Sequence, residues 1–280
     1  MDGIINVNKP LGITSHDVVY RLRKLLNIKK IGHTGTLDPD AGGVLPMCIG
    51  KGTKLAELLT ATDKQYLAEM TLGAITDTQD KSGEILESFE VNVSEEEIKE
   101  AVKTFIGEIS QIPPMYSAIK IDGKKLYELA REGKTIERQA RTVLIKNIEI
   151  KEIKLEQNTV TMLVDCSKGT YIRVLCENIA EKLETVGYMN SLNRIIVDKF
   201  SIDKAIDFET LEKNKNNDDF LNNNLIMMEE VFANLPKLNL NSRKLELFLN
   251  GVMLTFKNQD GLYNIYDEKN NYIGTGTIKS

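Results

Sequence analysis

The sequence predicts an α+β protein in which helices flank a mixed β-sheet, followed by a small β-rich module. Three observations predict this class. Segments with the period of strands interleave with segments of helical period, yet no regular strand–helix–strand repeat occurs. The 280 residues are enough for one large domain with a small one appended. Hydrophobic content of 41% and charged content of 28% are typical of a globular chain.

The chain is expected to begin with a strand, a helix and a second strand. Residues 3–8 form the first strand, which ends at Lys9-Pro10. Ser15 is the predicted N-cap of the helix. Apolar residues at helical spacing follow it: Val18, Val19, Leu22, Leu25 and Leu26. Residues 64–73 alternate with a period of two, which is typical of a strand. One face of this strand carries Tyr66, Ala68, Met70 and Leu72.

Two helices and two strands are predicted in the middle of the chain. Ser94 and Glu97 form a capping box, which opens a helix that Gly107 closes. Residues 142–154 and 159–166 are strand-like runs. Thr170 is the predicted N-cap of the second helix. The buried stripe of that helix comprises Ile172, Leu175, Cys176, Ile179 and Leu183.

The C-terminal part of the chain differs in composition. Residues 212–224 are rich in asparagine and charge, which predicts a linker or exposed loop. Beyond Pro236 the pattern changes again, and residues 262–280 are typical of a β-hairpin. This hairpin is expected to close the small β-rich module.

Cysteine usage and the N-terminal residues indicate a cytoplasmic protein. Cys48, Cys166 and Cys176 are odd in number, form no CxxC pair and lie in apolar contexts, so buried reduced thiols are expected. Reduced thiols fit a reducing compartment. The opening MDGIINVNKP has no basic region of a secretory signal, and no apolar run is long enough to cross a bilayer.

Charge is distributed unevenly along the chain. The net charge of −5 argues mildly against a nucleic-acid partner, and residues 77–99 are strongly acidic. Residues 21–30, in contrast, contain five basic residues and no acidic one, and residues 120–146 contain eight basic residues against four acidic ones. Either cluster alone is typical of a solvated surface. Together they favour a polyanion held by one side of an acidic protein.

The glycine-rich stretch GHTGTLDPDAGGVLP (32–46) is the first candidate site. It lacks the spacing of a Walker phosphate loop or a Rossmann turn. A metal site is also disfavoured, because His16 and His33 lie 17 residues apart and the cysteines are scattered. Asp38, which precedes a proline, remains a candidate for covalent attack or proton transfer. Asp38 and Asp40 are also spaced like a glycosidase pair, although a chain with no tryptophan is poorly suited to stacking sugars.

Arg173 is the second candidate. It falls in the first turn of the helix after Thr170, where the helix dipole disfavours a cation. Ile172 and Leu175 already supply the buried stripe there. Arg173 is therefore either a surface arginine or an arginine held beside a carboxylate or a phosphate.

Six motifs of this chain resemble those of the TruB family, the bacterial tRNA pseudouridine-55 synthases, in the same order and over essentially the whole length. They are NKPLGITS (8–15), GHTGTLDPDAGGVLP with CIGKGTK (32–54), DKQY (63–66), LGAITDTQDKSG (72–83), QIPPMYSAIKIDGKKLYELAREG (111–133) and CSKGTYIRVLCENI (166–179). The resemblance implies the pseudouridine-synthase fold, a curved mixed β-sheet with flanking helices and a central cleft. It also implies isomerisation of a T-arm uridine of tRNA to pseudouridine, with no cofactor and no metal.

The resemblance also implies a set of site residues. Asp38 matches the catalytic aspartate, and Arg173 matches the arginine that pairs with it. Tyr66 matches the active-site tyrosine that packs on the target base. Tyr171 and Leu192 are implied to line the base pocket. His33 is implied to hold the extruded nucleotide, since an enzyme acting on a base in folded RNA must flip it out.

The basic segments acquire a role from the same resemblance. Residues 113–142 resemble the insertion that clamps the RNA arm, and the acidic stretch 77–100 is expected to face away from RNA. Phosphate contacts are expected from Lys9, Arg21, Arg23, Lys24, Lys29, Lys30, Lys124, Lys125, Arg131 and Arg141. Residues 1–210 would form the catalytic domain, residues 211–235 a linker or helical connection, and residues 236–280 a PUA-like RNA-binding module. The expected protein is a monomer that binds the tRNA T-stem-loop without an obligate protein partner.

Two positions depart from the family pattern. Asp198 stands where glycine is frequent, and Gly187-Tyr188 stands where a small residue and histidine are common. Three functions remain open on the residues alone: an RNA uridine isomerase, acting on tRNA or another structured RNA; a glycoside hydrolase using Asp38 and Asp40; and a non-catalytic RNA-binding module.

Overall fold

A computed structural model describes residues 1–121 and 123–279. Asp122, in the predicted RNA-clamping segment, and Ser280, at the end of the predicted C-terminal module, lie outside the described residues. The helices are, in chain order, α1 Ser15–Leu26, α2 Ala56–Thr60, α3 Glu95–Lys103, α4 Leu126–Arg131, α5 Ile172–Lys182, α6 Phe208–Lys213, α7 Asp218–Asn223, α8 Met228–Val231 and α9 Ser242–Leu249.

Among the described residues, the strands divide between one large sheet and three small ones. In chain order they are β1 Gly3–Lys9, β2 Ile31–His33, β3 Ala41–Ile49, β4 Lys64–Leu72, β5 Ala74–Thr76, β6 Ile85–Ser88, β7 Gly107–Gln111, β8 Lys120–Ile121, β9 Lys124–Lys125, β10 Arg141–Lys154, β11 Thr159–Cys166, β12 Gly187–Val197, β13 Phe200–Ser201, β14 Ile206–Asp207, β15 Lys237–Asn239, β16 Gly261–Tyr266 and β17 Tyr272–Ile278.

The large sheet is mixed, as the sequence predicts. Within the described residues it has ten strands, and its main path runs β14-β1-β3-β12-β4-β11-β10-β7, with β2 on β3 and β13 on β12. The pairs β1–β14 and β3–β12 are parallel, whereas β4 pairs antiparallel with both β12 and β11. The strands that carry the predicted site residues therefore lie at the centre of the sheet.

One face of this sheet forms the main core. Along β4, buried residues alternate with half-buried ones, and Tyr66, Ala68, Met70 and Leu72 share the buried face, as predicted. Apolar side chains of α3 and α5 belong to the same core cluster, among them Ile98. Burying one large aliphatic side chain of this kind stabilises the fold by about 1.5–3 kcal/mol.

The start of α1 differs from its prediction, whereas the predicted cap of α3 is confirmed. Thr14, and not Ser15, is the N-cap of α1, since its side chain accepts from the N–H of Asp17 in a capping box. Ser15 is instead the first helical residue, and its hydroxyl is used elsewhere. Ser94 caps α3 in the predicted capping box, but that helix ends at Lys103 and Gly107 opens β7.

The asparagine-rich stretch 212–224 is not simply a loop. Asn217 accepts a hydrogen bond from the N–H of Phe220 and thereby caps α7. Leu221, which is 5% exposed, and Phe220 pack against the core beneath β1 and α1. Two adjacent apolar residues anchor this helix to the core, and the polar composition of the segment gave no indication of them.

The C-terminal module is β-rich, as predicted. The strands β16 and β17 form the expected antiparallel hairpin, and β15 adds to β16 in parallel. The helix α9 closes a small core around Leu240, Tyr263 and Ile265. The Nδ2 of Asn264 donates to the carbonyl of Phe232 at 2.7 Å, so the module contacts the segment that follows α8.

The cysteine prediction and the Asp198 departure are both resolved by the structure. Cys48, Cys166 and Cys176 are buried free thiols, as expected. Asp198 adopts a left-handed backbone with φ of 52° between β12 and β13. Glycine suits such a position, and aspartate is among the few other residues that tolerate it. Within residues 1–121 and 123–279, no helix is long and apolar enough to cross a bilayer.

Candidate active site

The loop between β2 and β3 presents Asp38, and contacts on both sides fix its position. The Ser15 hydroxyl donates to the carbonyl of Leu37 at 3.0 Å and accepts from its N–H at 2.8 Å. On the other side, the N–H of Gly12 donates to the carbonyl of Pro39 at 2.9 Å. The loop residues directly before and after Asp38 are thus tied to the start of α1.

Lys9 belongs to this anchoring and not to the RNA-binding surface predicted for it. Its side chain is 1% exposed, and its Nζ donates to the carbonyls of Pro10 at 2.8 Å and Pro39 at 3.2 Å. Burial lowers the pKa of Lys9 to about 8, opposed by the Asp40 and Asp38 carboxylates. Because no phosphate can reach a buried ammonium group in this position, the prediction of a phosphate contact from Lys9 is wrong.

Position 43 requires glycine for a structural reason that the sequence did not reveal. Its φ is +100°, and a Cβ built there would lie 2.3 Å from the carbonyl oxygen of Arg194. The glycine therefore lets β3 approach β12, where Gly43 pairs with Arg194. At this position the glycine-rich motif serves strand packing.

Arg173 meets Asp38 across the cleft. It is the second residue of α5, whose N-cap is Tyr171 and not the predicted Thr170. The side chain of Tyr171 does not cap the helix. Instead, the side-chain amide of Gln111 binds the Tyr171 backbone: its Oε1 accepts from the N–H at 3.0 Å and its Nε2 donates to the carbonyl at 3.2 Å. The distance from Arg173 Nη2 to Asp38 Oδ2 is 3.2 Å. This resolves the alternative left by the sequence, because Arg173 is only 5% exposed and faces a carboxylate.

Arg173 is held by further partners. Its guanidinium donates to the carbonyls of Thr78 at 3.2 Å and Tyr116 at 2.7 Å. A second carboxylate, Asp80, lies 3.6 Å from Nη1. A planar fork with two carboxylates and two carbonyls around it has little freedom to rotate.

Asp80 is a site residue that the sequence pattern did not indicate. It lies within the acidic stretch that was expected to face away from RNA, yet it is 9% exposed and faces Arg173. Its Oδ1 accepts from the Thr78 hydroxyl, the Ser82 N–H and the Ser82 hydroxyl. The signal present in the sequence is the surrounding TDTQDKS, whose short hydroxyl side chains are suited to binding a carboxylate. The structure shows that Asp80 of this stretch turns inward to Arg173, while the expectation that the stretch faces away from RNA stays a prediction.

Tyr66, Leu192 and Arg194 reach the site from two paired strands. Tyr66 on β4 is paired with Arg194 on β12, and Leu192 with Ala68. Arg194 is 1% exposed and donates to the carbonyls of Val44 at 2.7 Å and Gly35 at 3.2 Å. Burial raises the pKa of Tyr66, and the neighbouring Arg194 opposes this rise. Arg194 therefore links Gly35, in the loop that carries Asp38, with Val44 on β3 and with β4, the strand of Tyr66.

These side chains surround one cavity of about 310 Å³, a size within the usual range for small-ligand sites. Five of the predicted residues line it: Asp38, Tyr66, Tyr171, Arg173 and Leu192. The lining also includes residues that were not predicted to belong to the site: Gly35, Thr36, Leu37, Thr60, Lys64, Tyr116, Ser117, Ala118, Gly169, Thr170, Ile172 and Arg194. Asp40, the other half of the possible glycosidase pair, is exposed and does not line the cavity.

Asp38 lies at the mouth of this cavity with its side chain 41% exposed. Burial among the surrounding atoms raises its pKa, and the Arg173 guanidinium opposes that rise. Lys64 lines the same cavity, and burial lowers its pKa to about 8. The site thus combines one accessible carboxylate, a fixed arginine and a buried phenol.

His33 stands at the end of β2, next to the loop. Its Nδ1 accepts from the N–H of Gly35 at 3.2 Å. Burial lowers its pKa, and the charge of Arg194 lowers it further. The imidazole therefore supports the loop backbone in the free protein, and its predicted contact with an extruded nucleotide stays a prediction.

The remaining predicted phosphate-binding residues, apart from Lys125, are exposed: Arg21, Arg23, Lys24, Lys29, Lys30, Lys124, Arg131 and Arg141. Some are positioned by neighbours, since Arg23 donates to the carbonyl of Ile31 at 3.0 Å. Lys125 is half-buried and lies, like Arg131, against the ring of Tyr127. Arg141 pairs with Gln111 across β10 and β7, which places it beside the start of α5. Among residues 1–121 and 123–279, no group of three His, Cys, Asp or Glu side chains is placed to hold a metal ion.

Comparison with known proteins agrees with this geometry. The family model described as TruB family pseudouridylate synthase (N terminal domain) matches residues 23–172. A tRNA pseudouridine synthase B of Alkaliphilus oremlandii is 57% identical over 79% of this chain and 73% of its own length. One from Clostridium novyi is 47% identical over 100% of this chain and 96% of its own.

A solved structure, a Cbf5-Nop10-Gar1 complex, contains a chain that superimposes with a TM-score of 0.75 at 28% identity. The match covers 98% of this chain and 78% of that one. The expected pseudouridine-synthase fold is thereby confirmed. With Asp38, Tyr66 and Arg173 around one cavity, and with relatives matched over the full length, the chain belongs to the TruB family of pseudouridylate synthases.

Proposed function

We propose that this enzyme converts the T-arm uridine of tRNA, position 55, to pseudouridine with Asp38 as its catalytic carboxylate. The observation that carries the proposal is the contact between Asp38 and Arg173 at the mouth of the cavity. The relatives matched over most or all of this chain are named tRNA pseudouridine synthase B, which supports tRNA as the substrate.

The reaction requires no external reactant, because substrate and product contain the same atoms. The bond from N1 of uracil to C1′ of ribose breaks, the uracil rotates, and C5 bonds to C1′. The proton that C5 loses is balanced by the proton that N1 gains. A carboxylate can promote this by attack on C1′, by attack on the base or by removing a ribose proton. Each of these uses the ionised form, which the Arg173 guanidinium stabilises.

The cavity supplies the remaining requirements. A base in folded RNA must leave its stack to reach Asp38, and the ring of Tyr66 and the side chain of Leu192 provide walls against which it packs. The detached uracil must be retained while it turns, and the side chains of Tyr171 and Ile172, at the start of α5, line the cavity and limit its escape. His33, beside the loop, is placed to contact the extruded nucleotide.

The exposed basic residues are proposed to bind the RNA backbone. Arg21, Lys24, Lys29 and Lys30 lie on or just after α1, which is tied to the catalytic loop through Ser15. The segment 113–142, with Lys124 and Arg131, is the proposed clamp on the T arm. We expect a cytoplasmic monomer that acts without an obligate protein partner, with the C-terminal module as an additional RNA contact.

An unmodified tRNA transcript tests the reaction. Incubation with the protein, followed by mapping of pseudouridine, is expected to give product at the T-arm uridine. Asp38→Asn is expected to lower turnover by about 1,000-fold or more while leaving tRNA affinity within a few fold. The matched control Asp40→Asn is expected to stay active. Product at another position, or full activity in Asp38→Asn, would contradict the proposal.

Binding assays test the RNA surface. Each phosphate contact contributes to the slope of affinity against salt, so Lys29→Gln with Lys30→Gln is expected to weaken tRNA binding and flatten that slope. The same measurement on Arg243→Gln, on exposed α9, tests whether the C-terminal module contributes to tRNA binding. Affinity that ignores salt between low and physiological ionic strength would exclude the proposed clamp.

A further inference from the structure

The loop that carries Asp80 contains an unfavourable backbone conformation. Gln79, the residue before Asp80, has a φ of +63°. For an L-residue other than glycine, asparagine or aspartate this region costs roughly 1–2 kcal/mol. The loop is also bound to β12, because the Met189 N–H donates to the Gln79 carbonyl at 3.1 Å and the Lys81 N–H to the Met189 carbonyl at 2.9 Å. The position would suit glycine, and a long amide side chain stands there instead.

That side chain reaches α5. The Gln79 Nε2 donates to Oε2 of Glu177. Glu177 lies four residues after Arg173, one turn along the same helix, so the two side chains project from the same face. Burial raises the pKa of Glu177, consistent with a carboxyl group turned toward protein and away from water.

The helix therefore holds the Asp80 loop at two points. Arg173 binds the Thr78 carbonyl and faces Asp80, and Glu177 binds Gln79 between them in sequence. The two backbone hydrogen bonds with Met189 hold the loop along β12, and the two side-chain contacts one helical turn apart fix its orientation against α5. The separation of 3.6 Å between Arg173 and Asp80 exceeds a normal hydrogen bond, so small loop rotations change it directly.

We propose that Glu177 and Gln79 are positioning residues for the isomerisation, because their hydrogen bond sets the place of Asp80 against Arg173. The Arg173 guanidinium is shared between Asp80 and Asp38, and its tilt toward Asp38 depends on where Asp80 stands. The inference rests on the proposed role of Asp38 and extends it to two side chains that do not line the cavity.

Steady-state kinetics on the tRNA transcript test the proposal. Glu177→Ala and Gln79→Ala are each expected to lower kcat by about 10-fold with KM changed less than about 2-fold, since RNA contacts are untouched. The double variant is expected to resemble either single one, because both remove the same hydrogen bond. Glu177→Gln, which retains an oxygen to accept from Gln79, is expected to recover most of the loss.

Two variants separate positioning from general stability. Gln79→Gly removes the contact and also relieves the backbone strain, so it is expected to unfold at a urea concentration no lower than wild type and still lose turnover. Glu181→Ala removes an exposed carboxylate one turn beyond Glu177 on α5 without touching the hydrogen bond to Gln79. It is the matched control and is expected to keep wild-type kcat. It tests whether any acidic truncation on this helix has the same effect.

The outcomes distinguish this inference from the proposed function. Wild-type kcat in Glu177→Ala and Gln79→Gly would overturn it, as would a loss confined to KM or an equal loss in Glu181→Ala. Wild-type enzyme that forms no pseudouridine at the T-arm uridine would overturn the proposed function instead.

Discussion

Replacing Arg173 with methionine should test the electrostatics of the site most directly. The substitution keeps a long apolar stem and removes the charge. Two carbonyl oxygens, of Thr78 and Tyr116, lose a donor, and the carboxylates of Asp38 and Asp80 lose their shared cation. Removing one partner of a buried ion pair costs roughly 3–5 kcal/mol.

The structure places this case at the lower end of that range. Asp80 retains three donors on Oδ1, from Thr78 and Ser82, and water reaches Asp38, whose side chain is 41% exposed. We therefore expect Arg173→Met to lower the free energy of unfolding by about 3 kcal/mol. Turnover should fall much more than tRNA affinity, because Arg173 faces Asp38, the carboxylate proposed to react.

The substitution Asp80→Asn should change stability in opposite directions with and without Arg173. Only Oδ2 of Asp80 faces Arg173, so in an Asp80→Asn variant the amide nitrogen would point at the guanidinium. The single variant should be destabilised. In the double variant Arg173→Met with Asp80→Asn, the same amide no longer meets a cation, and one unpaired charge is gone. The double variant should therefore be more stable than Arg173→Met alone, by about 1 kcal/mol or more.

Urea unfolding, monitored by circular dichroism at constant m-value, measures these differences. The exposed Arg243→Met serves as the control and should change stability by less than about 0.5 kcal/mol. A double variant no more stable than Arg173→Met, or Arg173→Met as stable as wild type, would refute the assignment of Arg173 as the shared partner of two carboxylates.

Three further predictions concern backbone and pH. Gly43→Ala should destabilise the protein by about 3 kcal/mol or more, because its Cβ would overlap the Arg194 carbonyl; Gly42→Ala, whose Cβ meets nothing closer than 3.3 Å, should cost much less in the same urea assay. Asp198→Gly should raise the urea midpoint by an amount equivalent to up to about 1 kcal/mol, since φ of 52° suits glycine; a lower midpoint would argue against strain there. Burial lowers the pKa of His33 below 6.5, so the unfolded chain binds its proton first and stability should fall as pH drops through 6.5. His33→Gln should remove that part of the pH dependence, and an unchanged urea–pH profile would contradict it.

Local sequence rules predicted the elements whose pattern is self-contained. The alternation along β4 correctly predicted that Tyr66 lies on the buried face, and the capping box at Ser94 fixed the start of α3. These succeed because side-chain period and cap chemistry act within a few residues. The motif resemblance named Asp38 and Arg173, but it gave no distances.

Tertiary structure decided which of the chemically capable groups meet. The burial of Asp80 and of Lys9 was not foreseen, since a charged side chain is solvated or buried according to what the rest of the chain places beside it. Asp80 is buried because α5 brings Arg173 to it. Lys9 is buried where the carbonyl of Pro39, in the loop that carries Asp38, and the carbonyl of the adjacent Pro10 both accept from its ammonium group. The sequence by itself determined the family and predicted four strands of the main sheet, β1, β4, β10 and β11. It also named Asp38 as the candidate carboxylate. The resemblance implied that Arg173 pairs with Asp38, but only the folded chain placed Asp80 on the same guanidinium. Contacts between residues 38, 80 and 173 depend on strand order and register, which no local pattern encodes.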